Sequence, residues 1–443
     1  MTRVHVLDPK KVEALARRAA GWLRSRGLGE GDRVAIAAPS DPRVLALAHG
    51  ALRSGIVPVL MSPELPAEDR AWIVRDAEPG ATVEDLDAIP WDEAPEEDLA
   101  SLPLGRPMLY TSGTTGRRKG VWCGVFSEER AEGWADDEWD LWAPDPPNPF
   151  LVCSPLYQSA AYRSATAAIT AGAPVLLLER FDAETVVRTL ASEPVTGAFF
   201  VPTHLRRIQA LGEVAPPRAA KRVLHAGEPC PEPVKRWAMR WLPDALWEFY
   251  GSTEGQFTAI SPAEWIDRPG SVGRARRGRR LEILDPDEDG VGKVFVSAPS
   301  FARWEYWRDP ERTAPAWRGD SFTVGDLGRL DAGDYLFLVA RREDLVISGG
   351  VNVYPAEVER VLLEHPGVHE AAVFGIPDPE WGQRVCAAVT GVATEREVEA
   401  WARAHLEGPR RPKSLIIVDA LPRTASGKVR RDELKELVSE SGQ

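Results

Sequence analysis

Apolar residues recur at helical spacing along 10–26 and 41–52, and short unbroken apolar runs occupy 34–38 and 57–61. Helical stretches alternating with such runs predict helices packed against the buried strands of a parallel, doubly wound sheet, hence an α/β fold. The alternation returns with a strand at 174–178, a helix at 183–191 and a strand at 197–201. In between, residues 84–99 are acidic and carry Pro90 and Pro95, which predicts a solvated connector. The rhythm changes at Asp331-Ala-Gly-Asp334, a turn sequence leading into a strand at 335–339. Shorter units follow: a helix over 355–364 that opens on proline, strands at 371–375 and 386–389, a helix at 395–406, a strand at 415–418 and a last helix from Asp432. That tail is long enough for a separate α+β domain, with the boundary near Glu343, so the chain divides into 1–342 and 343–443. No segment repeats another.

A chain of 443 residues exceeds what one core supports, in agreement with a large body and a further domain. Its net charge of -13 opposes association with nucleic acid or an anionic bilayer, which leaves small molecules as the expected partners. Cys123, Cys153, Cys230 and Cys386 are far apart and form no metal pattern, so they read as reduced packing residues. Lys10, Lys11, Glu13, Arg17 and Arg18 interrupt any leader-like apolar segment, and no run reaches the ~20 residues that span a bilayer. A cytoplasmic location and no membrane span are expected. Trp134, Trp139 and Trp142 are expected to pack in the core or a lid.

The segment Tyr110-Thr-Ser-Gly-Thr-Thr-Gly-Arg-Arg-Lys-Gly-Val121 joins glycines to hydroxyl side chains and a lysine between two strand-like runs. Glycines let several N–H groups converge, and Ser112, Thr114, Thr115 and Lys119 add donors, a nest suited to phosphate oxygens. It lacks the Gly-Lys-Ser/Thr ending of a Walker loop. Glu254, after a Tyr-Gly turn, could hold Mg²⁺ or be an ordinary surface acid, and Asp326, after a glycine, could accept from two vicinal hydroxyls or merely close a turn.

With Tyr250-Gly-Ser-Thr-Glu-Gly255, Val324-Gly-Asp-Leu-Gly-Arg329, Ala340-Arg-Arg-Glu-Asp344, Ile347-Ser-Gly-Gly350 and Pro422-Arg-Thr-Ala-Ser-Gly-Lys428, the loop resembles the adenylate-forming superfamily of acyl-CoA synthetases, luciferases and adenylation domains. The six motifs follow the family's order over about three-quarters of the chain, a span comparable to whole domains. The resemblance implies a large N-terminal domain with doubly wound sheets and a small barrel-like part, followed by a small mobile C-terminal domain that turns on a hinge at Glu343. It implies ATP, Mg²⁺ and coenzyme A as reactants. Thr111, Ser112, Gly113, Thr114, Thr115, Gly116, Gly227, Glu228, Pro229, Tyr250, Gly251, Ser252, Asp326 and Arg341 would bind the nucleotide. Lys119, Thr253, Glu254 and Lys428 would be catalytic, with Glu254 on the metal. Ser348, Gly349 and Gly350 would line the coenzyme A tunnel, while Tyr157, Gln158, Phe200, Thr203 and Ala226 would line the acyl pocket.

Three features depart from the family pattern: Arg118 where proline is common, Gln158 where histidine is usual, and a shorter stretch before the phosphate loop. The segment from Leu224 to Gly273 is most like the branch acting on fatty or other bulky monocarboxylic acids, although Arg163, His204 and Arg206 keep a dicarboxylic acid open. The expected reaction is carboxylate plus ATP to acyl-AMP, then to acyl-CoA. An acyl-AMP ligase loading a carrier protein and a non-catalytic binding homologue are the alternatives, and a homodimer is possible.

Overall fold

The computed structural model describes residues 2–111, 118–341, 344–348, 351–406, 408–423 and 429–441. They fall into two compact units, Met1–Leu281 with Val296–Phe322, and Glu282–Phe295 with Thr323–Gln443. The second unit thus takes in chain that precedes Glu343, and Glu343 itself lies outside the described residues.

The first unit holds two α/β sheets. One has five adjacent parallel strands, Val175–Leu178, Phe150–Val152, Gly197–Phe200, Arg222–His225 and Leu246–Gly251. Antiparallel strands flank them, Val4–Leu7 on one side, Gln256–Ile260 and Arg274–Ala275 on the other. Alternation along the buried strands separates two cores: Phe150, Phe199 and Phe249 face Trp142 on one side, and Leu151, Phe200 and Leu246 face Trp241 on the other. The expected core role of Trp142 is borne out; it is fully buried and its indole N–H donates to Glu138.

The second sheet runs Glu305–Tyr306, Lys119–Trp122, Met108–Thr111, Val57–Leu60, Arg33–Ile36 and Ala81–Val83. Its helices start where the sequence caps them: Asp8 accepts from the N–H groups of Lys10 and Lys11 ahead of helix Pro9–Ser25, and Asp41 does so from Arg43 ahead of helix Pro42–Arg53. The two helices pack so closely at Gly50 that a Cβ there would lie 2.2 Å from the carbonyl oxygen of Ala16.

The connector at 84–99 is a correction. Its Leu86, Ile89 and Ala94 are buried, Arg17 meets Asp98 at 2.6 Å, and the Pro95 carbonyl presses against Gly21, so the segment is a strap over helix Pro9–Ser25. Acidic residues face water along it while its few apolar ones anchor.

In the second unit, strands Asp326–Leu330 and Leu336–Arg341 form the expected hairpin. Beyond it, the antiparallel pair Val368–Asp378 and Gly382–Gly391 is joined by Val346–Ser348, Val351–Val353 and, in parallel, Ser414–Ile417. Helices Pro355–Leu363, Glu395–His405 and Arg431–Ser441 complete it. The four cysteines are unpaired. No helix among the described residues is long and apolar enough to cross a membrane.

Candidate active site

Strands Met108–Thr111 and Lys119–Trp122 pair antiparallel, with Thr111 opposite Lys119. The phosphate-loop residues Ser112, Gly113, Thr114, Thr115 and Gly116 connect those two positions and lie outside the described residues. The stem is held from both sides: the Tyr110 hydroxyl donates to Asp76 at 2.5 Å, and Arg118 pairs with Asp69 at 3.0 Å. Burial and the Asp76 carboxylate push the Tyr110 phenol up, so it stays a neutral donor. Arg118 is therefore tied to the body beside the loop.

Strands Leu246–Gly251 and Gln256–Ile260 are joined by a tight turn in which the Ser252 N–H donates to the Gly255 carbonyl at 2.7 Å and the Glu254 N–H to the Ser252 hydroxyl at 3.2 Å. Gly251 has to be glycine, because a Cβ would sit 2.5 Å from the Gly255 oxygen. Glu254 is only 6% exposed, and its Oε1 accepts the Tyr306 hydroxyl at 2.9 Å. The ammonium of Lys119 lies 4.7 Å from the centre of that tyrosine's ring. One aromatic residue thus brings together two side chains that are 135 positions apart in sequence. Sequence reasoning missed Tyr306, which belongs to no motif and reaches the site through a two-residue strand pairing with Lys119–Trp122.

Sequence reasoning also missed Arg106, just ahead of the first strand of the stem. Its buried guanidinium donates to the carbonyl oxygens of Thr253 and Glu254. Among the described residues no group of three His, Cys, Asp or Glu side chains could enclose a metal. A single turn-borne carboxylate suits Mg²⁺, which commonly takes one or two carboxylates and completes its shell with water and substrate phosphates.

The parallel strands Arg222–His225 and Leu246–Gly251 end side by side, with His225 opposite Glu248. Lys235, 1% exposed, crosses beneath both, its Nζ 2.5 Å from His225 Nε2 and 2.8 Å from a Glu248 oxygen. Burial and the adjacent ammonium hold His225 well below its ordinary range, so Nε2 of the neutral ring accepts a hydrogen bond from the lysine ammonium. Beyond this support come Ala226, Gly227 at φ +99°, Glu228, whose carboxylate accepts the Thr203 N–H at 2.8 Å, and an exposed Pro229.

Of the expected acyl-pocket residues, Tyr157, Gln158 and Thr203 are half-buried and Ala226 is buried. Phe200 is a correction: it is fully buried on the opposite face of the sheet, among Leu205, Val223 and Trp241. Arg163 is already matched by Glu138 at 3.0 Å and Gln256 at 2.6 Å. His204 stacks on Phe181 at 3.9 Å, and burial pulls it down to about 3, so it offers no cation to a second carboxylate.

In the second unit, Gly325 adopts φ +89° just before Asp326, which is buried and stands opposite Arg341 in the hairpin register. Ser348 is fully buried. Gly349, Gly350 and Lys428 lie outside the described residues.

The family model of AMP-binding enzymes matches residues 10–106 and 106–307, and that of the AMP-binding enzyme C-terminal domain matches 357–428. A 2-succinylbenzoate–CoA ligase of Geobacillus kaustophilus is 31% identical, the alignment covering 100% of this chain and 96% of the relative. Among solved structures, ATP-bound MatB from Rhodopseudomonas palustris superposes with a TM-score of 0.85 at 29% identity, over 98% of this chain and 94% of that one. o-Succinylbenzoate CoA synthetase (MenE) from Bacillus subtilis, in complex with its acyl-adenylate, gives 0.84 at 26% identity, over 96% and 92%. The chain belongs to the AMP-binding enzyme family and is an AMP-forming acid–thiol ligase of the adenylate-forming superfamily.

Proposed function

We propose that this ligase activates a bulky carboxylic acid and hands the acyl group to coenzyme A. The observation that carries the reading is the meeting of Lys119 and Glu254 on Tyr306, next to the stem of a phosphate-type loop. A carboxylate oxygen of the acid attacks the α-phosphorus of ATP. The bond to the β-phosphate oxygen breaks, and pyrophosphate leaves with its electron pair. Lys119 offers positive charge to the phosphate oxygens, and Glu254 would hold Mg²⁺, which when bound neutralises phosphate charge. Asp326 accepts from the ribose hydroxyls, and Lys428 places a cation at the carboxylate and α-phosphate.

In the second half-reaction the thiol of coenzyme A, losing its proton to solvent, adds to the acyl carbon. The carbon–oxygen bond to AMP then breaks. The hinge at Glu343 and the Ser348-Gly349-Gly350 loop are assigned to this step, glycine leaving room for the pantetheine arm.

The acid is bulky, and the Geobacillus relative's name supports an aromatic acid ahead of a straight fatty chain. The test supplies ATP, Mg²⁺ and coenzyme A with 2-succinylbenzoate, benzoate, octanoate or acetate and follows AMP and thioester by mass spectrometry. The reading predicts AMP and acyl-CoA, with kcat/KM at least about tenfold higher for an aromatic acid than for acetate, the scale on which apolar pockets discriminate. Release of ADP, or acetate as the best acid, would overturn it.

A further inference from the structure

Arg106 is 6% exposed, and no carboxylate among the described residues forms an ion pair with it. A guanidinium kept from water is costly unless its donors are used. Two of them are: Nη1 donates to the Glu254 carbonyl at 3.1 Å, and Nη2 donates to the Thr253 carbonyl. The guanidinium carbon lies 4.7 Å from the centre of the Trp134 ring, and that of Arg163 lies 4.6 Å from the same centre. Burial, and after it the neighbouring Arg163, pull the pKa of the Arg106 cation down, while Glu138 and Glu254 act to keep it charged.

The two carbonyls belong to the residues that carry the candidate metal carboxylate. Consecutive C=O groups pointing at one guanidinium fix the peptide between them, so the direction in which the Glu254 side chain leaves the turn is set from behind. On its other side that carboxylate is met by Tyr306. Arg106 also lies two residues before strand Met108–Thr111, the first strand of the phosphate-loop stem. A single residue therefore ties the stem to the Thr253–Glu254 turn across 148 positions of sequence.

We infer that Arg106 is a positioning residue for metal-bound ATP: it holds the Thr253–Glu254 peptide so that the Glu254 carboxylate is presented to Mg²⁺. This rests on the reading of Glu254 as the metal carboxylate, and the experiment separates the two. Full-length enzyme saturated with α,β-methylene-ATP, which is not cleaved at the α–β bridge, is titrated with Mn²⁺ and free ion is read by electron paramagnetic resonance. Arg106→Met is expected to weaken Mn²⁺ binding about tenfold, the lower end of the range seen when a group behind a metal ligand is lost, and Arg106→Lys, which keeps the charge but not the forked pair of donors, about threefold. KM for the acid should stay within about twofold, because only the metal side of the site is disturbed.

Glu254→Gln must also weaken Mn²⁺. If it does not, the reading of the site fails. If it does, and Arg106→Lys and Arg106→Met bind Mn²⁺ as the wild type does, the positioning inference alone is overturned. The double variant Glu254→Gln/Arg106→Met should bind no more weakly than Glu254→Gln, since Arg106 acts through that carboxylate; a further loss would contradict the inference. Should Arg106→Met fail to fold, Arg106→Lys decides by the same comparison.

Discussion

Three histidines, His49, His204 and His225, are shielded from water, and burial drags all three imidazoles below their ordinary range, His49 and His204 to about 3. In the unfolded chain each would take up a proton near pH 6.5. Between pH 6.5 and their folded values the unfolded state therefore binds more protons than the folded one. The stability they contribute is present above pH 6.5 and is lost as the pH falls, by about 1.4 kcal/mol per pH unit for each histidine. Urea unfolding at pH 7, 6 and 5 should show a steep fall, and His49→Asn should flatten it by about one proton's worth. Equal stability at pH 7 and 5 would contradict this assignment. For the site the consequence is direct, because a neutral His225 is what accepts from Lys235.

At the scale of elements, the residues expected to wall the nucleotide sit at or just past the ends of strands Arg222–His225 and Leu246–Gly251, and Lys235 is the tie beneath both. Replacing Lys235 with Met would leave the Glu248 carboxylate buried without its cation, a loss of about 3–5 kcal/mol. Removing both charges with Lys235→Met/Glu248→Gln should recover most of it, as read by urea denaturation. A single variant within about 0.5 kcal/mol of wild type would mean the triad is idle.

The parallel-sheet rhythm was readable because strands buried on both faces are unbroken apolar runs. The expected strands at 371–375 and 386–389 are only the middles of Val368–Asp378 and Gly382–Gly391. The outer parts carry Pro377, Asp378, Gln383 and Arg384, polar or ring-locked residues that an apolar run does not capture. Residues 84–99 were misread for a related reason, since prolines and acids hid three apolar anchors. Glu254 and Asp326 stood out only through their motifs' resemblance to the family, since alone each reads as a surface acid or a turn residue. Tyr306 and Arg106 did not, because each acts through contacts with residues distant in sequence, Glu254 lying 52 positions from the first and 148 from the second, and no local pattern encodes such pairings.

At the scale of the whole molecule, the chain comprises two compact units, and the proposed chemistry divides its residues between them. Lys119, Thr253 and Glu254 belong to the first, whereas Asp326, Ser348, Gly349 and Lys428 belong to the second. Under the proposed function, Lys428 serves adenylation and the Gly349 loop serves thioester formation.

The most direct measurement is of the two half-reactions in Lys428→Ala. ATP–pyrophosphate exchange driven by the preferred acid should fall at least about a thousandfold, the scale of losing a charge aimed at the transition state. Conversion of supplied acyl-adenylate to acyl-CoA should stay within about threefold of wild type, because that step does not use the lysine. Exchange that survives the substitution, or loss of both half-reactions together in a folded protein, would contradict the account.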